Sequence, residues 1–385
     1  MTDEVRVVGY PKTENREPKT RETRLTERDR FLRTMRYEGC DRRPLHLVGP
    51  WPDTLRRWHA EGLPAHVTAG TLAEFFGLQP LRLRNVSAEM GPHPPFEQRT
   101  VREDDEVRIF VDRYGRIARD LKAHTSMPEW LEFAVKDRAS LQRALDEHYS
   151  VENVDERFGP DWEERVRKPL HPNELLLVDG GCYYGILRSL AGVENASYLL
   201  HDAPDLVDEL FERYHTVVME GMRRAMARVN VDIVGFGEDI AYKTGTLMSV
   251  AMFRRFILPR YRKAMDFARQ HGVDVTWYDS DGNLRPFIPD YLSVGINGLA
   301  PCEVAADMAP VGLRRDFGRD LRIIGGLDKR EIAKGPVAID AELERNKPLI
   351  QEGGFMPAID HSISADISWD NYRYFLDRLL PALEL

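Results

Sequence analysis

The chain alternates between short apolar runs and longer segments with helical periodicity, most regularly after His171. Residues 175–178 are continuously apolar, as is typical of a strand that is buried on both faces of a parallel sheet. Similar runs follow, and each ends in a polar turn: 231–236, 273–278, 295–299, 321–324 and 355–359. An earlier run at 45–48, directly after Pro44, is a further strand candidate and brings the number to seven.

Helical patterns lie between these runs. Thr26 and Asp29 have the spacing of a capping box, and the helix that they predict ends at Gly39. A long amphipathic helix is predicted from Pro204, and another helix begins at Ser249. Strands that alternate with helices predict an α/β fold with a parallel sheet, and about eight such repeats close a (β/α)8 TIM barrel.

Two parts of the chain fall outside this repeat. Residues 1–25 alternate charge and polarity without a period, so we expect an extended or disordered N-terminal arm. We leave a homodimer open, in which the arm packs on a partner subunit. In the barrel domain at 26–385, an insertion is expected around 85–125, because residues 106–110 and 116–121 alternate across a turn and predict a small β-hairpin.

Composition and charge narrow the class of protein. Of the 385 residues, 42% are hydrophobic and 30% are charged, as in an ordinary soluble protein with a large core. The net charge of −9 disfavours a nucleic-acid partner, and no apolar run approaches the roughly 20 residues of a membrane span. Cys40, Cys182 and Cys302 form no CxxC motif and are expected to be unpaired thiols in a reducing compartment. We therefore expect a cytoplasmic enzyme with a small-molecule substrate.

Polar side chains follow most of the predicted strands. Because the strands of a parallel barrel all end on one face, these side chains are expected to converge on one pocket. We predict catalytic roles for His361, Asp279 and Glu238. The residues predicted to bind substrate are Trp51, Arg56, Tyr183, Asp239, Lys243, Asn283, Glu303 and Asp328.

Several of these residues also fit a purely structural role. Asp328 stands where a helix N-cap is expected, and Lys243 fits a salt bridge with a neighbouring carboxylate equally well. Arg56 also fits a solvated helix face, and His361 also fits a solvent-facing position. Residues 281–283, Asp-Gly-Asn, are typical of a turn. These alternatives stay open at the level of the sequence.

Four stretches of the chain carry motifs in a fixed order. They are ERDRFL at 27–32 with RRP at 42–44, GED at 237–239 with LMS at 247–249, IIGGLD at 323–328, and DHS at 360–362. Together they resemble the uroporphyrinogen decarboxylase superfamily, which also holds corrinoid- and coenzyme-M-type methyltransferases. The resemblance covers most of residues 26–385 and implies the (β/α)8 barrel of that superfamily.

Two departures from the superfamily pattern bear on function. The decarboxylases carry an arginine-rich MRQAGR loop that binds the carboxylates of their substrate, whereas residues 49–57 are GPWPDTLRR here. The methyltransferases build a zinc site from an HxC pair and a later cysteine, and the matching positions here are Asp279, Asp281 and either His361 or Asp360. The resemblance thus implies a divalent-metal site, for zinc or a harder ion, on Asp279, Asp281 and His361, and the oxygen ligands favour a harder metal, or no metal, over a thiolate-rich zinc site.

The function favoured by this resemblance is a methyltransferase or demethylase that acts on a small polar or methylated substrate. The resemblance implies a corrinoid or a tetrahydropterin as methyl carrier, and a corrinoid protein as partner. One alternative is uroporphyrinogen decarboxylation in tetrapyrrole biosynthesis, which the missing arginine loop disfavours. Another is a non-catalytic, ligand-binding barrel.

Overall fold

A parallel β-sheet forms the centre of the computed structural model, which describes residues 25–122, 127–152 and 154–385. In this part of the chain the strands are β1 (Arg82–Asn85), β2 (Arg99–Glu103), β3 (Val107–Val111), β4 (Ile117–Leu121), β5 (Glu129–Glu132), β6 (Glu174–Asp179), β7 (Ile233–Gly237), β8 (Ala241–Tyr242), β9 (Gly245–Thr246), β10 (Thr276–Asp279), β11 (Gly298–Ala300), β12 (Arg322–Leu327) and β13 (Phe355–Ile359). Seven of them form one sheet in the order β1-β6-β7-β10-β11-β12-β13, with every neighbouring pair parallel. The predicted α/β class is confirmed. Except for Leu25, the predicted N-terminal arm lies outside the described residues.

The sheet is curled, so that alternate side chains from its strands meet in one inner core. This inner core combines residues from or beside all seven strands with two residues of the first helix: Phe31, Met35, Leu81, Leu175, Ile233, Val275, Trp277, Ala300, Ile324 and Met356. Phe31 and Met35 are fully buried and fill the inside of the curl. The remaining strand side chains pack outward against the other helices in a second, larger core. Both faces of β7 and of β10 to β13 are therefore buried, which accounts for the apolar runs in the sequence, whereas the edge strand β1 is mostly exposed.

Helices separate the strands along the chain, as the periodicity predicts. They are α1 (Glu27–Met35), α2 (Pro52–Ala60), α3 (Leu72–Phe75), α4 (Arg138–His148), α5 (Pro160–Arg167), α6 (Tyr183–Asp202), α7 (Pro204–Met226), α8 (Val250–Phe256), α9 (Leu258–Gln270), α10 (Ile288–Val294), α11 (Pro310–Phe317), α12 (Lys329–Ala333), α13 (Pro336–Glu352) and α14 (Trp369–Leu383). The capping box of Thr26 and Asp29 is present at the start of α1. Among the described residues, no helix combines the length and the apolar character that crossing a membrane requires.

The first predicted strand differs from the structure. Residues 45–48 form no ladder, and the edge strand is β1, at residues 82–85, which was not predicted. The segment still connects the two edges of the sheet through single hydrogen bonds: the Leu81 amide donates to the Leu45 carbonyl at 2.8 Å, and the Trp51 amide to the Ile363 carbonyl at 3.0 Å. The closed eight-stranded barrel stays a prediction.

The insertion is larger than the predicted hairpin. Strands β2 to β5 form a four-stranded antiparallel sheet that extends to Glu132, beyond the expected limit near residue 125. The hairpin itself is confirmed as β3 and β4, which pair from Val107–Leu121 to Val111–Ile117. Its turn is closed by a 3.0 Å hydrogen bond from the Gly115 amide to the Asp112 carbonyl.

Candidate functional site

A cavity of about 330 Å³ lies at the carboxyl ends of the central strands, directly above the inner core. Its lining comes from the extended segment near residue 46 and from the ends of β7, β10, β11, β12 and β13. The lining residues are His46, Val48, Asp239, Trp277, Asp279, Asp281, Ala300, Pro301, Ile324, Gly325, Ile359, His361 and Ser362. The predicted convergence of Asp239, Asp279, Asp281 and His361 is thus found in the structure. We refer to this space as the central cavity.

Asp279 is the last residue of β10 and projects from the wall of the central cavity. The surrounding protein, followed by the negative charges of Asp281 and Asp239, raises the pKa of Asp279 to about 6. The Trp277 indole, two residues earlier on the same face of the strand, opposes this shift by hydrogen bonding to the carboxylate. The cavity wall therefore contains a carboxyl group that is less acidic than an ordinary aspartate.

Three side chains at the edge of the cavity lie close enough together to share one metal ion. Asp281, Glu303 and His361 each offer a ligand atom, and these atoms all lie within 4.8 Å of one another. Nε2 of His361 is 3.4 Å from Oδ2 of Asp281, and the hydrogen bond between them raises the pKa of His361. Among the described residues no other such group occurs, and Asp279 is not part of this one.

The loop after β10 holds this group in place through a close backbone contact. Gly282 has φ +86°, and a Cβ atom there would lie 2.7 Å from the carbonyl carbon of Ala241, so a glycine is required. The Gly282 amide donates to Oε2 of Glu303 at 3.2 Å. Asn283 closes the turn, since its side-chain oxygen accepts a 3.1 Å hydrogen bond from the Arg285 amide. Residues 281–283 form a bend that still leaves Asp281 in the lining of the central cavity. Asn283 does not line the cavity, and its predicted substrate-binding role stays a prediction.

Basic side chains lie beside two of the carboxylates. Nη2 of Arg188 donates to Asp239 at 3.0 Å, and Nζ of Lys329 lies 3.6 Å from Glu303. Asp239 has φ +45°, an uncommon backbone conformation that turns its side chain away from the direction of Glu238. Neither Arg188 nor Lys329 lines the cavity.

The structure places Glu238, for which a catalytic role was predicted, outside the residues that line the central cavity. This residue is only 1% exposed, and its carboxylate accepts hydrogen bonds from the amides of Tyr183 at 2.7 Å and Gly185 at 2.9 Å, and from the Tyr261 hydroxyl. It therefore satisfies the free amides at the N-terminus of α6. Tyr183, predicted to bind substrate, is equally buried in the outer core, with its hydroxyl 2.6 Å from Nδ1 of His215.

Three further predicted substrate-binding residues lie elsewhere. Asp328 is the N-cap of α12, where it accepts a hydrogen bond from the Arg330 amide at 2.9 Å. Lys243 is exposed in the turn between β8 and β9 and forms no ion pair with Asp239 or the buried Glu238 in the described part of the chain. Arg56 is exposed on α2, where it pairs with Asp53. All three positions fit a structural or solvent-exposed role rather than substrate binding.

Trp51 and His46 complete the surroundings of the cavity. Trp51 was predicted to bind substrate, but it does not line the cavity. Its ring stacks on His361, with centroids 6.4 Å apart, and supports the histidine instead. His46 lines the cavity but was not predicted as a site residue, because it stands in an apolar run that resembles an ordinary strand. Its ring meets the edge of Trp277 at 5.3 Å, and burial lowers its pKa to about 4.

The thiols stay outside the site. Cys302 is 3% exposed and donates to the Leu299 carbonyl at 3.3 Å, and burial raises its pKa to about 12. Burial likewise raises the pKa of Cys182. The expectation that both are structural thiols agrees with this placement. Asp360, the alternative third metal ligand, is 1% exposed and binds the amides of Val304 and Lys329.

Comparison with known proteins places the chain in a family. The family model described as uroporphyrinogen decarboxylase (URO-D) matches residues 182–379, just over half of the chain and every central strand from β7 onward. The chain belongs to the uroporphyrinogen decarboxylase family. All the carboxylates and the histidine of the metal-sized group lie inside the part that matches this uroporphyrinogen decarboxylase model.

A solved structure shares the fold of this uroporphyrinogen decarboxylase family member over nearly its full length. It is a methyltransferase from Methanosarcina mazei, 17% identical, with a TM-score of 0.54; the match covers 92% of this chain and 99% of the other. At this identity the likeness concerns the fold. No curated protein sequence matches this chain significantly.

Proposed function

We propose that this chain is an enzyme of the methyltransferase-like branch of the family, a methyltransferase or demethylase that acts on a small polar or methylated molecule in the central cavity. The observation that carries the proposal is the charge of the cavity wall. Among the described residues that line it, the ionisable groups are three aspartates and two histidines, and none is lysine or arginine.

This wall is unsuited to the substrate of the decarboxylases. A porphyrinogen that carries eight carboxylates needs dense arginine recognition, and a wall of carboxylates repels it. The volume of about 330 Å³ is also near the lower end for ligand pockets, which span roughly 300–1,000 Å³. Both properties favour a small substrate without multiple negative charges.

A divalent ion on Asp281, Glu303 and His361 forms part of the proposal. Ligand atoms about 2.1 Å from a tetrahedral zinc ion lie roughly 3.4 Å from each other, and the Nε2–Oδ2 distance between His361 and Asp281 is 3.4 Å. One nitrogen and two carboxylate oxygens suit zinc or a harder ion and lack the thiolates of a soft-metal site. The bound ion would supply Lewis-acid polarisation and lower the pKa of a coordinated hydroxyl or thiol.

The residues of the chain have separable roles in this proposal. His361, held by Asp281 and stacked on Trp51, is oriented toward the cavity and is the ligand or proton carrier there. Asp279 is not part of the metal-sized group, so its carboxylate is available to accept a hydrogen bond from the substrate or to form an ion pair with it. The methyl carrier proposed for the second half-reaction is a corrinoid, on a partner protein, or a tetrahydropterin.

The proposal is tested by methyl transfer to cob(I)alamin. A panel of small N-, O- and S-methylated compounds is offered to the purified protein, and formation of methylcob(III)alamin is followed by absorbance, with a tetrahydropterin as second acceptor. We expect transfer from at least one compound, and a loss of ten-fold or more in Asp281→Asn. Asp320→Asn, an exposed carboxylate just before β12 at the opposite end of the strands, is the matched control.

The competing functions predict different results. Conversion of uroporphyrinogen to coproporphyrinogen, with no methyl transfer, would establish the decarboxylase instead. A folded protein that catalyses neither reaction, and whose ligand binding survives joint replacement of Asp279, Asp281 and His361, would fit a non-catalytic barrel.

A further inference from the structure

The carboxylates around the central cavity differ in one respect, which is whether a basic side chain neutralises them. Three have such a partner: Asp239 with Arg188 at 3.0 Å, Asp281 with His361 at 3.4 Å, and Glu303 with Lys329 at 3.6 Å. Asp279 forms no ion pair within the described ranges of the chain, although it projects from the cavity wall. Asp279 is therefore the one carboxylate of these four that forms no ion pair, although the charge of His361 acts on it from across the cavity.

An aromatic ring lies next to this carboxylate. Trp277 and Asp279 are two residues apart on β10 and therefore lie on the same face of the strand, so both side chains point into the curl of the sheet. Phe31 stacks against Trp277 from the inner core, with centroids 6.1 Å apart, and fixes the indole as the floor of the cavity. An indole beside a carboxylate is the combination that binds organic cations in proteins, through the ring quadrupole and the full charge together.

The other walls of the cavity suit such a cation. Val48, Ala300, Ile324 and Ile359 supply apolar surface for methyl groups. His46 adds no positive charge at neutral pH, since burial lowers its pKa to about 4. The cavity thus joins a single unpaired negative charge to an aromatic and aliphatic surface.

We infer that the ligand of the central cavity is a small organic cation of the methylated ammonium type, which contacts both the carboxylate of Asp279 and the indole of Trp277. Only its identification as the substrate rests on the proposed methyl-transfer function, because the binding step needs neither the metal ion nor the methyl carrier. Asp279 is not one of the three residues of the metal-sized group, so binding of the cation does not use their ligand atoms.

The inference is tested with two probes of the same shape. Choline carries a trimethylammonium group, and 3,3-dimethylbutan-1-ol replaces its nitrogen with carbon and has no charge. Calorimetric titration of the full-length protein is expected to show choline binding at least ten-fold more tightly than the neutral isostere. In Asp279→Asn the two affinities become equal within about three-fold, whereas Asp320→Asn keeps the preference of the wild type.

Each other outcome overturns the inference. Equal affinity of the two probes for the wild type would show that the charge is not recognised, and binding of neither would exclude this ligand class. A preference that persists in a folded Asp279→Asn would place the recognition elsewhere. Because the titration involves no turnover, a choline preference without methyl transfer would refute the proposed function alone, and methyl transfer without the preference would refute this inference alone.

Discussion

Replacing Glu238 with glutamine should remove a pH dependence of stability that the buried carboxyl group gives to the fold. Glu238 is 1% exposed, and burial raises its pKa from the ordinary 4.5 to about 7, against the opposing effect of its hydrogen bonds from Tyr261, Gly185 and Tyr183. Glutamine is a neutral side chain of the same shape and mimics the protonated acid.

The sign and size of the effect follow from this shift. The folded protein holds the proton to a higher pH than the unfolded chain does, so the free energy of unfolding falls as pH rises from about 4.5 to about 7. A shift of about 2.5 units at 1.36 kcal/mol each corresponds to a loss of roughly 3 kcal/mol across this window, with a steepest slope of about 1.4 kcal/mol per unit. Above about pH 8 the contribution of Glu238 becomes constant.

The assay is urea denaturation of both proteins at half-unit steps between pH 5 and pH 8. Because all other groups are shared, the difference between the two unfolding free energies isolates Glu238. We expect glutamine to be less favourable at pH 5, where it loses a hydrogen bond, and to gain roughly 3 kcal/mol relative to the wild type by pH 8. If the unfolding free energies of the two proteins changed with pH in parallel, the buried carboxyl group with a raised pKa at the start of α6 would be refuted.

Two other substitutions test how the cavity is supported. Gly325→Ala should cost about 2 kcal/mol or more in unfolding free energy, because Gly325 has φ +89° and a Cβ atom there would clash with the Pro301 carbonyl oxygen; unchanged denaturation would contradict the tight passage of β12 below the cavity. Phe31→Ala should cost about 3–5 kcal/mol, because the ring is fully buried in the inner core against Trp277; a loss below about 1 kcal/mol in the same measurement would show that α1 does not fill the curl of the sheet.

Much of the fold was predictable because both faces of the central strands are buried. Continuous apolar runs such as residues 175–178 are too short for a buried helix and therefore indicate a strand. Strand β1 escaped prediction because its arginines make it look polar. Arg84 is 9% exposed, and its guanidinium binds Glu174 and, at 2.6 Å, the Lys168 carbonyl, partners that lie some 80 to 90 positions later in the chain. Conversely, residues 45–48 are mostly apolar and were predicted as a strand, but they pair with no neighbouring strand. The local sequence pattern could not show that this pairing is missing.

The site was predictable as a set of strand ends but not as individual roles. Asp239 and Glu238 are adjacent, yet the first faces the cavity and the second caps α6, because the backbone turns through a positive φ at Asp239. Glu303 was predicted to contact substrate, and only the fold of the loop at Gly282 brings it to Asp281 and His361. The predicted metal site included Asp279, whereas the group found in the structure has Glu303 in its place. Spacing along the chain could not reveal this difference, because it depends on distances in the folded protein.

Metal binding by matched variants tests the central proposal most directly. Purified apoprotein is equilibrated with Zn²⁺ or Mn²⁺, passed through a desalting column and analysed for metal by mass spectrometry, with folding checked by circular dichroism. The proposal predicts about one ion per chain in the wild type and in Asp279→Asn, and a loss of most of it in Asp281→Asn and His361→Gln. An ion content near zero in the wild type, or a loss in Asp279→Asn as large as in Asp281→Asn, would contradict a metal site on Asp281, Glu303 and His361.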